Sequence, residues 1–109
     1  MDLLNHQLEG LDDVEFWIHT CWGNPGAQHC FDSDVSYEAS IDMYLNRVKG
    51  DVWTIESKDS GHASLPLFEP YKGKLTKKIA VGCISHLALQ VETPEGVAED
   101  IRHALKYID

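Results

Sequence analysis

The chain has 109 residues, 43% of them apolar and 25% charged, with a formal net charge of −9. This length holds one domain at most, spanning 1–109, and the acidic balance excludes the basic stripe that a nucleic-acid surface needs. It offers no attraction to an anionic membrane, no apolar run is long enough to span one, and without a secretory apolar segment the expected setting is the cytoplasm.

Leu3, Leu4 and Leu8 within residues 2–9 read as the tail of a helix ended by Gly10. The run Val14-Glu15-Phe16-Trp17-Ile18 predicts a buried strand over about 14–20, and Gly23-Asn24-Pro25-Gly26 opens a loop that lasts to Ser36. In that loop Cys30, between His29 and Phe31, reads as an inert thiol. Ile41, Tyr44, Leu45 and Val48 recur at helical spacing and predict a helix over 37–49, with Gly50 at its C-terminal end.

Asp51 to Ser57 reads as the second strand, 58–62 as a polar loop, and 64–71 as a short helix limited by Pro66 and Pro70. Residues 72–77 form a basic, solvated connector before a third strand over 78–85. Thr93 caps the last helix and Pro94 fits its first turn; Val97, Ile101, Ala104, Leu105 and Ile108 make its buried stripe. Trp17, Trp22 and Trp53 read as packing residues, with Trp22 also suited to a pocket wall.

Three successive βα units imply an α/β fold with parallel strands and right-handed crossovers. Chemistry in such folds collects at the C-terminal strand ends, where His19, Cys21, Glu56 and Cys83 fall. His19 and Cys21 are two residues apart, so their side chains leave one strand face. Adjacent strands lie about 4.8 Å apart, which lets Glu56 meet them. Imidazole, thiolate and carboxylate are donors that zinc accepts. Plainer roles stand beside this one. His19 can be a packed histidine beside a buried thiol, Glu56 can face water or cap a helix, and Cys83 can be a small core residue. His62 and His86 read as polar loop residues on the same rim. The three cysteines form no disulfide framework.

Four stretches resemble the C-terminal catalytic region of cobalamin-independent methionine synthase and its shorter archaeal and bacterial relatives. They are His19-Thr20-Cys21-Trp22-Gly23-Asn24, Asp51-Val52-Trp53-Thr54-Ile55-Glu56, Ile79-Ala80-Val81-Gly82-Cys83-Ile84-Ser85, and Val91-Glu92-Thr93-Pro94-Glu95-Gly96-Val97-Ala98 with Ile101-Arg102-His103-Ala104-Leu105. The resemblance runs from about residue 14 to the end. It implies a partial (β/α)8 TIM-barrel-like fragment, since a complete barrel takes about 250 residues.

The resemblance also implies a zinc-dependent thiol S-methyltransferase. His19, Cys21 and Glu56 match three zinc ligands, and the fourth, a cysteine, belongs to a later strand beyond Asp109. Cys83 does not match it and stands only as a substitute. A homocysteine-like thiol, deprotonated at the metal, takes the methyl group of a methylated folate, and His86 is the candidate acid for the departing folate amine. Open strand edges predict a homo-oligomer or a partner chain that completes the sheet. Two readings of other classes remain. One is a non-catalytic βα oligomerisation module or remnant subunit with the metal site incomplete. The other is a redox switch of Cys21 and Cys30, which lacks a Cys-x-x-Cys.

Overall fold

The computed structural model describes residues 2–22, 36–85 and 87–109. Helix α1 (Asp2–Gln7) precedes strand β1 (Trp17–Thr20), helix α2 (Ile41–Asn46) and strand β2 (Val52–Glu56). A 3-10 helix (Leu65–Tyr71), strand β3 (Lys78–Gly82) and helix α3 (Pro94–Ala104) complete the order. The strands form one sheet in the order β1-β2-β3. Both pairings are parallel: Trp17 pairs with Val52, and Val52 with Lys78. The small α/β fold with parallel strands is as the sequence predicts. Among the described residues no helix is long and apolar enough to cross a membrane.

The core lies on one side of the sheet. Trp53 and Ile55 of β2 meet Tyr37, Ile41 and Leu45 around α2, Leu65 and Phe68 of the 3-10 helix, and Ala104 and Ile108 of the α3 segment. Trp53 is its centre, with Tyr44 stacked at 4.9 Å, Tyr37 edge-on at 5.4 Å and Phe68 at 5.7 Å. Burying each such side chain stabilises the fold by about 1.5–3 kcal/mol.

The period of two along each strand sends Trp17 and His19 to the opposite face, where both are exposed. Trp17 is therefore not the packing residue its type suggests; it is 61% exposed. Its indole donates to Glu15 at 2.7 Å, and Lys78 donates to the same carboxylate at 2.9 Å. Since Trp17 and Lys78 both pair with Val52, this bridge spans the sheet beside Val52, which is buried.

Several elements are shorter than the sequence predicts. Strand β1 begins at Trp17, because Phe16 bonds the turn before β2: its amide donates to the Asp51 carboxylate, and its carbonyl accepts from the amides of Asp51 and Val52. Helix α2 starts at Ile41, since Tyr37–Ser40 close a separate turn, and its C-cap is Arg47, not Gly50. Gly50 serves close packing instead; a Cβ there would sit 2.8 Å from Ile18 Cγ1. Strand β3 stops at Gly82, leaving Cys83–Ser85 in the loop beyond.

The connector is not merely solvated. Lys77 donates to the carbonyls of Tyr44 and Val48 at 2.6 and 2.7 Å, closing the end of α2. On α3, Ile101 and Leu105 are exposed rather than buried. The helix is turned so that Asp100 faces inward toward polar partners, which rotates the apolar stripe off those two residues. The Gly23–Gly26 turn, Cys30 and His86 lie outside the described residues.

Candidate functional site

The C-terminal ends of β1 and β2 lie side by side. His19 pairs with Thr54 and Thr20 with Ile55; Glu56 is the last residue of β2, and Cys21 follows the end of β1. His19 and Cys21 are exposed and Glu56 is half-buried. Glu56 Oε1 accepts the Asp59 amide at 2.6 Å. Its other oxygen, Oε2, is buried and has no hydrogen-bond partner among the described residues. An unsatisfied buried carboxylate oxygen is costly, and native structures rarely retain one without an ion, a water or a functional reason.

Tyr37 joins the two strand ends. Its hydroxyl donates to the Thr20 carbonyl at 2.9 Å and accepts from the Glu56 amide at 3.3 Å. Trp53 adds an indole N–H to Thr20 Oγ1 at 2.8 Å. Burial raises the Tyr37 pKa; its own hydrogen bonds oppose that, and the charges of Glu56 and Cys21 reinforce it. Trp22 packs against Tyr37 at 4.4 Å and borders the core, as expected of a packing residue.

The donor types suit zinc, and the orphaned Glu56 oxygen offers a carboxylate without another bond. Among the described residues, however, no three His, Cys, Asp or Glu side chains gather closely enough to hold an ion. Cys83 is half-buried, and burial chiefly pushes its thiol pKa up, with Asp100 and Glu92 adding to that and Lys58 opposing.

A polar network beside the site has no counterpart in the sequence reading. His62 bonds Ser57 Oγ through Nδ1 at 2.8 Å and Asp100 Oδ1 through Nε2 at 2.9 Å. Lys58 donates to the other oxygen of Asp100 and pairs with Glu92 at 3.5 Å. Glu92 in turn accepts the Ser85 amide at 2.9 Å, and Ser85 donates to Asp59. The loop that follows Glu56 at the end of β2 is thereby fastened to α3 and to the loop after β3. The available signal was Asp100, an acidic residue between Val97 and Ala104 on the buried side of a helix.

No family model matches the chain, and no solved structure matches it. It is similar to a curated methionine synthase of Sulfolobus acidocaldarius, with 27% identity over 107 residues that cover 98% of this chain and 26% of the relative. The chain therefore spans about a quarter of the length of the relative it matches. The resemblance expected from the motifs is met at the level of sequence.

Proposed function

We propose that the chain is the thiol-activating portion of a methionine-synthase-like methyltransferase, a cytoplasmic partial (β/α)8 unit over residues 1–109 with zinc on His19, Cys21 and Glu56. The observation that carries this is the Oε2 of Glu56, buried and without a hydrogen-bond partner among the described residues, on the strand next to the one that bears His19 and leads into Cys21. Similarity to a methionine synthase across nearly the whole chain supports the same chemistry.

Zinc held there would lower the pKa of a bound substrate thiol and so supply a thiolate at neutral pH. His19 would offer it a ring nitrogen, Cys21 a sulfur and Glu56 a carboxylate oxygen. The carboxylate is kept in place by the Asp59 amide on its other oxygen. The acceptor is a homocysteine-like thiol and the donor a methylated folate, with His86 the candidate acid. The fourth ligand comes from another segment, with Cys83 as the substitute.

Metal analysis of protein purified without chelator tests the proposal. The expected result is near-stoichiometric zinc, lost on Cys21→Ser or Glu56→Gln. Sub-stoichiometric zinc, unchanged by Cys21→Ser, overturns it.

A non-catalytic oligomerisation module is the second reading. It is favoured by exposed Trp17, Ile101 and Leu105 and by the outer edges of β1 and β3, which pair with no further strand among the described residues. Sedimentation separates the two: this reading predicts an oligomer, or a complex with a sheet-completing partner, that forms equally with and without zinc.

A further inference from the structure

We propose that residues 2–12 form a releasable strap, clasped by Asn5 to the turn between α2 and β2, that opens as a unit while the sheet stays folded. The clasp has two parts. Asn5 Nδ2 donates to the Arg47 carbonyl at 2.8 Å, and Asn5 Oδ1 accepts the Lys49 amide at 2.7 Å. One side-chain amide thus satisfies a carbonyl left over at the C-terminal end of α2 and an amide of the turn that follows. Phe16 grips the same turn from the other end of the segment, through the Asp51 carboxylate and the amides of Asp51 and Val52.

Between these two anchors the segment is held by little. Among the described residues, no hydrogen bond joins residues 6–14 to any part of the chain after Phe16. Their bonds are local: the Leu8 amide to the Asn5 carbonyl, the Glu9 amide to the His6 carbonyl, and the His6 ring to the Glu9 carboxylate. No residue of 2–15 is buried, and none enters the core. Gly10, with φ of 77°, turns the chain in a conformation that a side chain would strain. A segment with so little burial opens at a lower free energy than the sheet, where Val52, Trp53 and Ile55 are buried. Release bares the Arg47 carbonyl and the Lys49 amide on an exposed turn before β2, at the opposite end of that strand from Glu56. The strap is therefore independent of the metal reading above.

Amide exchange and thermolysin digestion of the full chain test this. In the parent, exchange of the Lys49 amide is expected to change little with urea well below the unfolding midpoint. That of the Val52 amide, bonded to Phe16, is expected to speed up with urea as the whole fold does. Cleavage between Leu8 and Val14, followed by mass spectrometry, reports the open population. Asn5→Ala is expected to speed that cleavage by about 5–30-fold, the value of one or two hydrogen bonds, with the near-ultraviolet circular dichroism of the core kept. Asn5→Asp, which keeps an acceptor for the Lys49 amide, is expected to fall between the two. Equal urea dependence at Lys49 and Val52 in the parent overturns the strap, and so does cleavage of Asn5→Ala at the parent's rate. The parent measurement needs no variant, so it decides even if Asn5→Ala fails to fold.

Discussion

His62 Nε2 lies 2.9 Å from Asp100 Oδ1, joining the loop after β2 to helix α3. On the other side of the ring Nδ1 lies 2.8 Å from the Ser57 hydroxyl, so the imidazole joins the serine to the carboxylate. Ser57 is 2% exposed, so its hydroxyl has no water to turn to. His62→Ala is expected to cost about 1–3 kcal/mol, the penalty for an unsatisfied buried polar group. His62 also has φ of 62°, a left-handed conformation that asparagine tolerates better than alanine. His62→Asn is therefore expected to unfold at a higher urea concentration than His62→Ala, with an unchanged slope.

The Asp100 carboxyl supplies a pH dependence of known sign. Partial burial raises its pKa, but hydrogen bonds from Lys58 and His62 outweigh that and leave it below the ordinary aspartate value. A native pKa below the unfolded one gives stability that is complete above the unfolded value and is lost as pH falls through the native value. Asp100→Asn is expected to be less stable than the parent at neutral pH, with the difference shrinking as the solution is acidified. Urea unfolding at a series of pH values checks this; a constant difference contradicts it.

Thr93 tests a feature that was legible beforehand. Its hydroxyl accepts the Gly96 amide at 3.1 Å, and Pro94 follows in the first turn of α3. Thr93→Ala is expected to cost about 0.5–2 kcal/mol, with the loss of protection confined to the first turn of α3 in amide exchange. Serine at this position is expected to restore most of it.

What the sequence disclosed and what it withheld divide along local and non-local lines. The cap of α3, the parallel βα order and the strand ends bearing His19, Cys21 and Glu56 follow from spacing within short windows. The strands end short of the expected limits at Val14–Phe16 and at Cys83–Ser85: Phe16 bonds the turn before β2, and the paired register of β3 stops at Gly82 although apolar residues continue. Tyr37 looked like the first residue of a helix, because nothing local reveals that its hydroxyl reaches Thr20 and Glu56. His62 looked like a loop residue for the same reason: its partner Asp100 is 38 positions away.

Gly82 probes the remaining side of the Glu56 position. It pairs with Glu56 across β2 and β3, and a Cβ on it would lie 3.1 Å from the Ile55 carbonyl oxygen and 3.6 Å from Glu56 Cα. These are ladder atoms, which cannot swing aside as the tip of a side chain can. Gly82→Ala is therefore expected to destabilise by about 1–3 kcal/mol, as overpacking does, and to push the end of β2 away from β3. Amide shifts in a nitrogen-15 correlation spectrum are expected to move most at Glu56, Ser57 and Lys58, whose own amide donates to the Gly82 carbonyl at 3.0 Å. Unmoved amides with equal or higher stability would mean that β3 yields at this point, and that the Glu56 backbone is held by β1 and Tyr37 alone.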